Sequence, residues 1–185
     1  MTTSQEEKRA LEHFVADGSE HAFRRLYRRH TPFLFALALR LTGGHREEAE
    51  DALQEAWIRA AERLVEFRGA SALRTWLAGF VVNCCRERRR GPHRVVAGHP
   101  PQDPGAVPAA RGGDRLDLER QIAALPPKQR EVLVLYDLQG FTHEEVGSLL
   151  AIPVGTSKRR LFDARRNLRL RLSSASPKLR AGDRL

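Results

Sequence analysis

The sequence predicts an all-α protein made of two small helical domains joined by a flexible linker, with a helix-turn-helix in the second domain. Apolar residues recur at helical spacing from residue 9 to residue 90 and again from residue 115 to residue 172. No stretch alternates between apolar and polar residues in the manner of a β-strand. Residues 91–114 are rich in Pro, Gly and Ala, so we expect the domain boundary there and a short polar tail at residues 173–185.

The first domain, residues 9–90, is predicted to be a bundle of about four helices, because glycines interrupt the pattern at Gly43-Gly44 and at Gly69. Its helix from about residue 46 to residue 64 has an apolar stripe opposite an acidic face. Carboxylates repel phosphates, so this face is either solvated surface or a site for a basic protein partner. The apolar residue Ile58 on this face favours a protein partner. The residues on this face are Glu48, Asp51, Glu55, Ile58 and Glu62.

The helix predicted after Gly69 concentrates positive charge at its C-terminal end. The residues are Arg86, Arg88, Arg89 and Arg90. A helix dipole favours one or two cations at this end, and the others indicate a track for phosphates. Upstream, Phe67 and Trp76 are aromatic and can stack on an unpaired base, although Trp76 also fits the apolar stripe of the domain core.

In the second domain, residues 115–172, two short helices follow each other closely. Thr142 and Glu145 have the spacing of a capping box, which predicts a helix from about His143 to Leu150. The pattern breaks near Pro153 and resumes from about Thr156 to Arg171. Two short helices with so tight a connection are typical of a helix-turn-helix.

The last predicted helix has an apolar side and a side suited to DNA. The apolar side contains Leu161, Ala164 and Leu168, and the other side contains Arg159, Phe162, Asp163 and Arg166. An arginine fork such as Arg159 can contact guanine in the major groove, while Phe162 can meet a thymine methyl. The alternative is a solvated basic helix, which an arginine-rich composition makes common.

Charge and composition favour a polyanionic partner in a reducing compartment. The chain has 32 Lys and Arg against 23 Asp and Glu, a formal net charge of +9. Its two cysteines, Cys84 and Cys85, are adjacent, and adjacent residues rarely form a good disulfide. No apolar run approaches the ~20 residues of a membrane helix. We therefore expect a cytoplasmic protein without stable membrane insertion.

No catalytic residue, metal site or cofactor is expected, so the sequence does not favour an enzyme. The seven histidines show no metal-ligand spacing, and no Gly-rich loop follows a strand. The run His143-Glu144-Glu145 lacks the second histidine of a zinc-protease motif.

Motifs in both domains resemble those of the extracytoplasmic-function (ECF) sigma factors of bacterial RNA polymerase. The first domain resembles sigma domain 2 at Ala22-Phe23, Ala49 to Glu55, Phe67-Arg68, Thr75 to Leu77, and Asn83. The second resembles sigma domain 4 at Leu125 to Leu133, Thr142 to Leu150, and Ile152 to Thr156. The order and spacing of the motifs, with a linker between them, make this resemblance specific.

The resemblance implies three interfaces and two protein partners. The acidic face is expected to bind the clamp helices of the largest subunit of core RNA polymerase, through Glu48, Asp51, Gln54, Glu55 and Ile58. The promoter −10 element is expected to meet Phe67, Arg68, Thr75, Asn83, Arg86, Arg89 and Arg90. The −35 element is expected to meet Thr156, Ser157, Lys158, Arg159, Phe162, Asp163 and Arg166. An anti-sigma factor is the second expected partner.

One rival from another class remains open at this point. A helix-turn-helix repressor or activator would bind a palindromic site without core polymerase, and the acidic face would have no polymerase role. A scaffold protein with no DNA role would leave the basic face of the last helix unexplained.

Overall fold

The protein is a set of packed helices. The computed structural model describes residues 3–90 and 114–175, so nearly all of the predicted linker and most of the predicted tail lie outside the described residues. The first domain contains α1 (Thr3–Asp17), α2 (Glu20–Leu41), α3 (Arg46–Arg63), a 3-10 turn (Leu64–Glu66) and α4 (Leu73–Arg90). The second contains α5 (Asp114–Ala123), α6 (Pro127–Leu133), a π-helical turn (Val134–Leu138), α7 (His143–Leu150) and α8 (Val154–Ala175). The described residues contain no strand, so the all-α prediction is confirmed for them.

Some helix ends differ from the sequence-based expectation. The first helix, α1, begins ahead of the domain start predicted at residue 9. The last helix, α8, begins at Val154 because the Ser157 N–H already donates to the Pro153 carbonyl, at 3.0 Å. It also continues to Ala175, into the segment predicted as tail. The bounds expected for α7 are confirmed.

The first domain is held by the apolar faces of α2, α3 and α4. Trp57 of α3 is buried, and its ring lies 5.8 Å from Phe23 and 4.9 Å from Tyr27 between centroids. Leu37 of α2 and Val81 of α4 are fully buried in the same core. Each such side chain contributes about 1.5–3 kcal/mol on burial. This packing fixes α3 and α4, which carry the candidate residues of the first domain.

The helix-turn-helix of the second domain is defined by its caps. The Glu145 N–H donates to Thr142 Oγ1 at 3.2 Å, and the Thr142 N–H donates to Glu145 Oε2 at 2.9 Å, which completes the predicted capping box. Ala151 ends α7 in the left-handed region, at φ 52°. Gly147 permits the turn, because a Cβ there would lie 2.9 Å from the Ile152 carbonyl oxygen.

The two domains pack against each other, which no sequence pattern predicts. The α4 helix contacts α7, and α2 contacts α5 and α6. Phe33 of α2 meets Phe141 with 6.3 Å between ring centroids, and Arg40 of α2 forms a 2.9 Å ion pair with Glu119 of α5. The buried apolar residues of both domains therefore form one continuous core.

Candidate polymerase and nucleic-acid interfaces

The acidic face of α3 is open to solvent at its centre. Asp51 and Gln54 are exposed, and Ile58 is 50% exposed although it is apolar. Glu48 and Glu55 are half-buried. The structure therefore brings the five residues of the predicted polymerase face onto one side of one helix.

Arginines of α3 and α4 border this acidic face. Arg88 forms a 3.1 Å ion pair with Asp51, and Arg59 bridges Glu55 and Glu87 at 2.8 Å each. The hydrogen bonds that Arg59 donates to Glu87 and Glu55 raise the pKa of Arg59 above its usual range. These pairs are solvent-exposed and each contributes about 1 kcal/mol or less. A basic partner can therefore replace them at little cost.

The predicted −10 residues of α4 fall into two groups. Asn83 and Arg90 are exposed, whereas Thr75, Arg86 and Arg89 contact the second domain. The Thr75 hydroxyl donates to Glu145 Oε1 at 2.9 Å. Three of the residues expected to meet DNA are thus engaged within the chain itself.

The two aromatic residues that can stack on an unpaired base, Phe67 and Trp76, lie just before α4 and in its first turn. The ring of Phe67 lies 5.4 Å from that of Trp76, and Trp76 lies 4.7 Å from Phe80, both in edge-to-face geometry. All three are half-buried, and the neighbouring Arg68 is exposed. These aromatic side chains are therefore fixed by packing and still reach the surface.

The outer side of α8 carries most of the predicted −35 residues. Lys158, Arg159 and Arg166 are exposed. Phe162 is 68% exposed, which is unusual for a large apolar ring. Thr156 and Asp163 are half-buried and lie at the edges of this side of α8. The arginines and the ring thus form a single exposed face, as the periodicity indicated.

Ser157 does not belong to that exposed face. Its side chain is 0% exposed, and its Oγ lies 2.9 Å from Nδ1 of His143, with which it shares a hydrogen bond. The spacing of Ser157 from Leu161, Ala164 and Leu168 follows the apolar side of the helix, so the periodicity carried this signal. The structure therefore requires a correction: Ser157 joins α7 to α8 and does not reach DNA in this arrangement.

Sequence reasoning gave His143 no role beyond opening α7. Its ring stacks on Tyr136 with 4.2 Å between centroids and 24° between planes, while Nδ1 reaches Ser157. His143 therefore connects the π-helical turn, α7 and α8. His143 and Ser157 are 14 residues apart in the sequence, and this separation alone gives no signal that their side chains meet.

The sequence patterns also gave no role to two buried charged residues of α6, Arg130 and Glu131. Glu131 is 2% exposed; its Oε1 accepts a 2.6 Å hydrogen bond from Arg89 Nη2 and lies 3.8 Å from Arg86 Nε. Arg130 is 9% exposed and donates to the carbonyls of Ala123 and Leu41. Burial lowers the pKa of Arg130 below its usual range. Both groups would be costly to bury without these partners.

Within residues 3–90 and 114–175, no group of three or more His, Cys, Asp or Glu side chains is placed to hold a metal ion. In the same ranges, no helix combines the length and apolar character needed to cross a membrane. Cys84 and Cys85 are free and buried, and burial raises the pKa of Cys85 to about 12.

Comparison with known proteins gives matches in both domains. Residues 26–94 match the Sigma-70 region 2 family, and residues 115–168 match the Sigma-70 region 4 family. The chain is 36% identical to the ECF RNA polymerase sigma factor SigM of Mycobacterium tuberculosis, covering 82% of this chain and 77% of that protein. It is 30% identical to the ECF RNA polymerase sigma-E factor of Escherichia coli K12, covering 82% and 86%.

A solved structure extends the likeness to the arrangement of helices. The sigma factor RpoE from Bartonella quintana, crystallised with the anti-sigma factor NepR, superposes with a TM-score of 0.67 at 26% identity. The alignment covers 83% of this chain and 98% of that chain. Both domains match in order, and the alignments with relatives 36% and 30% identical cover 77% and 86% of those proteins. The chain therefore belongs to the ECF RNA polymerase sigma factors.

Proposed function

We propose that this chain binds core RNA polymerase through the acidic face of α3 and directs transcription initiation by contacting promoter −10 and −35 elements. The observation that carries the proposal is the presence of two exposed faces of opposite character in one ECF chain. One is acidic with an apolar centre on α3, and the other is basic with an aromatic centre on α8. The role requires no covalent chemistry and is exercised in the cytoplasm, where promoter DNA is found.

The polymerase contact uses Asp51, Gln54 and Ile58 as its centre, with Glu48 and Glu55 at the edge. Exposed carboxylates attract a basic surface, and the half-exposed Ile58 supplies apolar contact area. The expected partner surface is the pair of clamp helices in the largest polymerase subunit. On binding, basic residues of the partner replace Arg88 beside Asp51.

The −35 contact uses the exposed face of α8. Arg159 reads a base edge, Phe162 meets a thymine methyl, and Lys158 and Arg166 bind phosphates. Thr156 and Asp163 lie at the edges of the face, where Asp163 can accept from cytosine N4. Ser157 holds α8 in place from below, through His143.

The −10 contact uses α4 and the segment before it. Phe67 and Arg68 lie near the start of the helix and receive an unstacked base, and Asn83 and Arg90 lie farther along it. Thr75, Arg86 and Arg89 belong to the same proposed surface, and in this structure they contact the second domain. Unstacking costs a few kcal/mol per base step, which capture of the extruded bases offsets.

An anti-sigma factor is the further partner that we propose. The Bartonella quintana relative was crystallised with one, and it matches this chain across both domains. A protein antagonist of this kind would compete with polymerase or with promoter DNA for the surfaces described above.

Run-off transcription from a library of genomic fragments, with purified core polymerase, tests the proposal. The wild-type chain is expected to give transcripts that share upstream elements, and Asp51→Arg with Glu55→Arg is expected to abolish them. A matched control reverses two exposed carboxylates on α1, Glu6→Arg with Glu12→Arg, and should transcribe normally. Specific binding to a palindrome without polymerase association would instead establish a helix-turn-helix repressor.

A further inference from the structure

The N-terminal half of α2 carries four arginines within six residues. They are Arg24, Arg25, Arg28 and Arg29, and together they form the basic face of α2. We propose that this basic face is a further DNA-binding surface, which holds backbone phosphates without reading sequence. It is separate from the α4 and α8 residues of the proposed function and does not depend on promoter recognition.

The packing of α2 directs these arginines to solvent. Ala22, Leu26 and His30 recur every four residues along the helix and are buried. The four arginines lie between these positions, and all of them are exposed. The α2 helix meets the second domain farther along, at Phe33 and Arg40. The second domain therefore leaves the basic face uncovered.

The spacing of the arginines makes like charges neighbours on the helix surface. Two pairs of them are four residues apart, a spacing at which like charges destabilise a helix. In α3, by contrast, Arg46 and Arg59 each lie four residues from a glutamate with which they form an ion pair. An arrangement that costs helix stability indicates a use other than folding.

Only half of the positive charge on the basic face is balanced within the chain. Arg24 and Arg29 each have a carboxylate partner, with N–O distances of 2.6 Å and 2.9 Å. Arg25 and Arg28 form no ion pair with any residue in the ranges 3–90 and 114–175. Their guanidinium groups are therefore available to an anionic partner.

The chemistry of the face fits phosphates better than an acidic protein surface. A guanidinium can donate two parallel hydrogen bonds to the oxygens of one phosphate. Protein interfaces usually add an apolar centre to complementary charge, as Ile58 does on α3. Among the six residues that hold the arginines, Leu26 is buried and the ring of Tyr27 packs against Trp57. The basic face therefore offers mainly charge.

Phosphate contacts on α2 would add affinity for any DNA. They carry no sequence information, so discrimination between promoters stays with the residues that reach base edges. Their contribution is lost as salt rises, because binding releases the cations condensed on the DNA. The basic face would thus hold the protein on DNA wherever it lands.

The first test measures non-specific DNA binding by the full chain. The probe is a short fluorescein-labelled duplex of scrambled sequence, titrated at several salt concentrations, and Lys158→Ala with Arg159→Ala weakens the α8 face in every variant. Arg25→Gln with Arg28→Gln is expected to lower the affinity by about fivefold or more. The slope of log affinity against log salt should fall by about 1.8, since each phosphate contact contributes about 0.9.

A matched control removes the same charge elsewhere. Arg63→Gln with Arg120→Gln changes two exposed arginines that already have carboxylate partners. The control should lower the affinity by less than about twofold, because these charges lie outside the proposed contact. Equal losses for the two double variants would show an effect of net charge alone and overturn the surface. An unchanged affinity for Arg25→Gln with Arg28→Gln would overturn it too.

Stability and polymerase binding separate the proposal from two other roles of the same arginines. The urea midpoint of Arg25→Gln with Arg28→Gln should stay the same or rise, because like charges are removed. A lower midpoint with unchanged DNA affinity would assign the arginines a structural role and reject the proposal. Affinity for core polymerase should be unchanged. Its loss without a change in the salt slope would assign the face to an acidic protein surface and likewise reject the proposal.

Proximity gives a second readout that does not depend on affinity. An iron–EDTA group is attached through His21→Cys, an exposed position one turn before Arg25, while the native cysteines are buried. Strand cleavage of the bound duplex is expected. The same group at Glu62→Cys, on the acidic face of α3, should cleave several-fold less, since carboxylates repel phosphates. Equal cleavage from the two positions would contradict the placement of DNA on α2.

Failure of this surface and failure of the proposed function give different results. If the run-off assay yields no transcripts but the salt slope falls as expected, the α2 surface stands and the sigma role fails. If transcripts appear but the salt slope is unchanged, the sigma role stands and the α2 surface is rejected.

Discussion

Thr75 of α4 donates a 2.9 Å hydrogen bond to Glu145 of α7, although 70 residues separate them in the chain. The same Glu145 carboxylate accepts from the Thr142 N–H and so caps the first helix of the helix-turn-helix. One carboxylate therefore stabilises a local helix start and a contact between domains. Loss of its charge weakens both.

Acidification should reveal this double role. The backbone hydrogen bond from Thr142, followed by the hydroxyls of Thr75 and Thr142, lowers the pKa of Glu145 below its usual range. A lowered pKa in the folded state gives stability that is present above the unfolded pKa, about 4.3, and is lost as pH falls through the folded pKa. The free energy of unfolding of wild type should exceed that of Glu145→Gln near neutral pH, and the difference should shrink in acid.

Urea denaturation at several pH values checks this. Glu144→Gln, at an exposed position on the same turn, is the matched control and should show no such pH-dependent difference. A difference between wild type and Glu145→Gln that stays constant down to strongly acidic pH would contradict the role assigned to the carboxylate.

Local features of the fold could be predicted from the sequence because their signals lie within a few residues. The capping box at Thr142 and Glu145 and the bounds of α7 follow from short-range hydrogen bonding and periodicity. The exposed face around Arg159 and Phe162 follows from a helical period of 3.6. These predictions needed no knowledge of how the two domains pack.

Contacts between distant segments could not be predicted in this way. The pairing of Arg89 with Glu131 depends on where α4 and α6 meet, and the sequence around either residue does not indicate its partner. Ser157 is a different case, since its periodicity marked the buried side while its motif marked the DNA side. Position on the helix was the better guide there.

Arg159 and Lys158 should contribute differently to promoter binding. Arg159→Ala should cost about 1–3 kcal/mol on one preferred promoter and little on a scrambled one, because a base contact carries sequence information. Lys158→Ala should weaken binding to all sequences alike, because a phosphate contact carries no sequence information. It should also reduce the dependence of the binding constant on salt concentration. Titrations of polymerase holoenzyme on matched and scrambled promoters at several salt concentrations separate the two. Equal losses for Arg159→Ala on both DNAs would refute its base contact.

His143 of α7 and Ser157 of α8 should contribute to stability as an energetically coupled pair. Ser157→Ala removes the 2.9 Å hydrogen bond with the loss of only the hydroxyl oxygen, and His143→Ala removes both that bond and the stack on Tyr136. We expect a coupling energy of about 0.5–1.5 kcal/mol in a double-mutant cycle of unfolding free energies. Both variants should also weaken −35 binding without changing polymerase affinity. Strict additivity of the two substitutions would show that the pair does not interact.

Gly43 and Gly18 provide a matched pair for testing the domain contact through stability alone. Both have positive φ, 79° and 67°, so alanine at either position carries a similar backbone cost of about 1–2 kcal/mol. Only at Gly43 would the new Cβ also lie 2.8 Å from Arg130 Nη1; nothing lies within 4 Å at Gly18. The guanidinium must then move, which weakens its bond to the Leu41 carbonyl.

Gly43→Ala should therefore destabilise by about 1 kcal/mol more than Gly18→Ala in urea titrations. The excess should vanish in an Arg130→Met background, because the side chain that the Cβ meets has been replaced by a flexible apolar one; an excess that persists there would place its cause in the backbone and not in the domain contact.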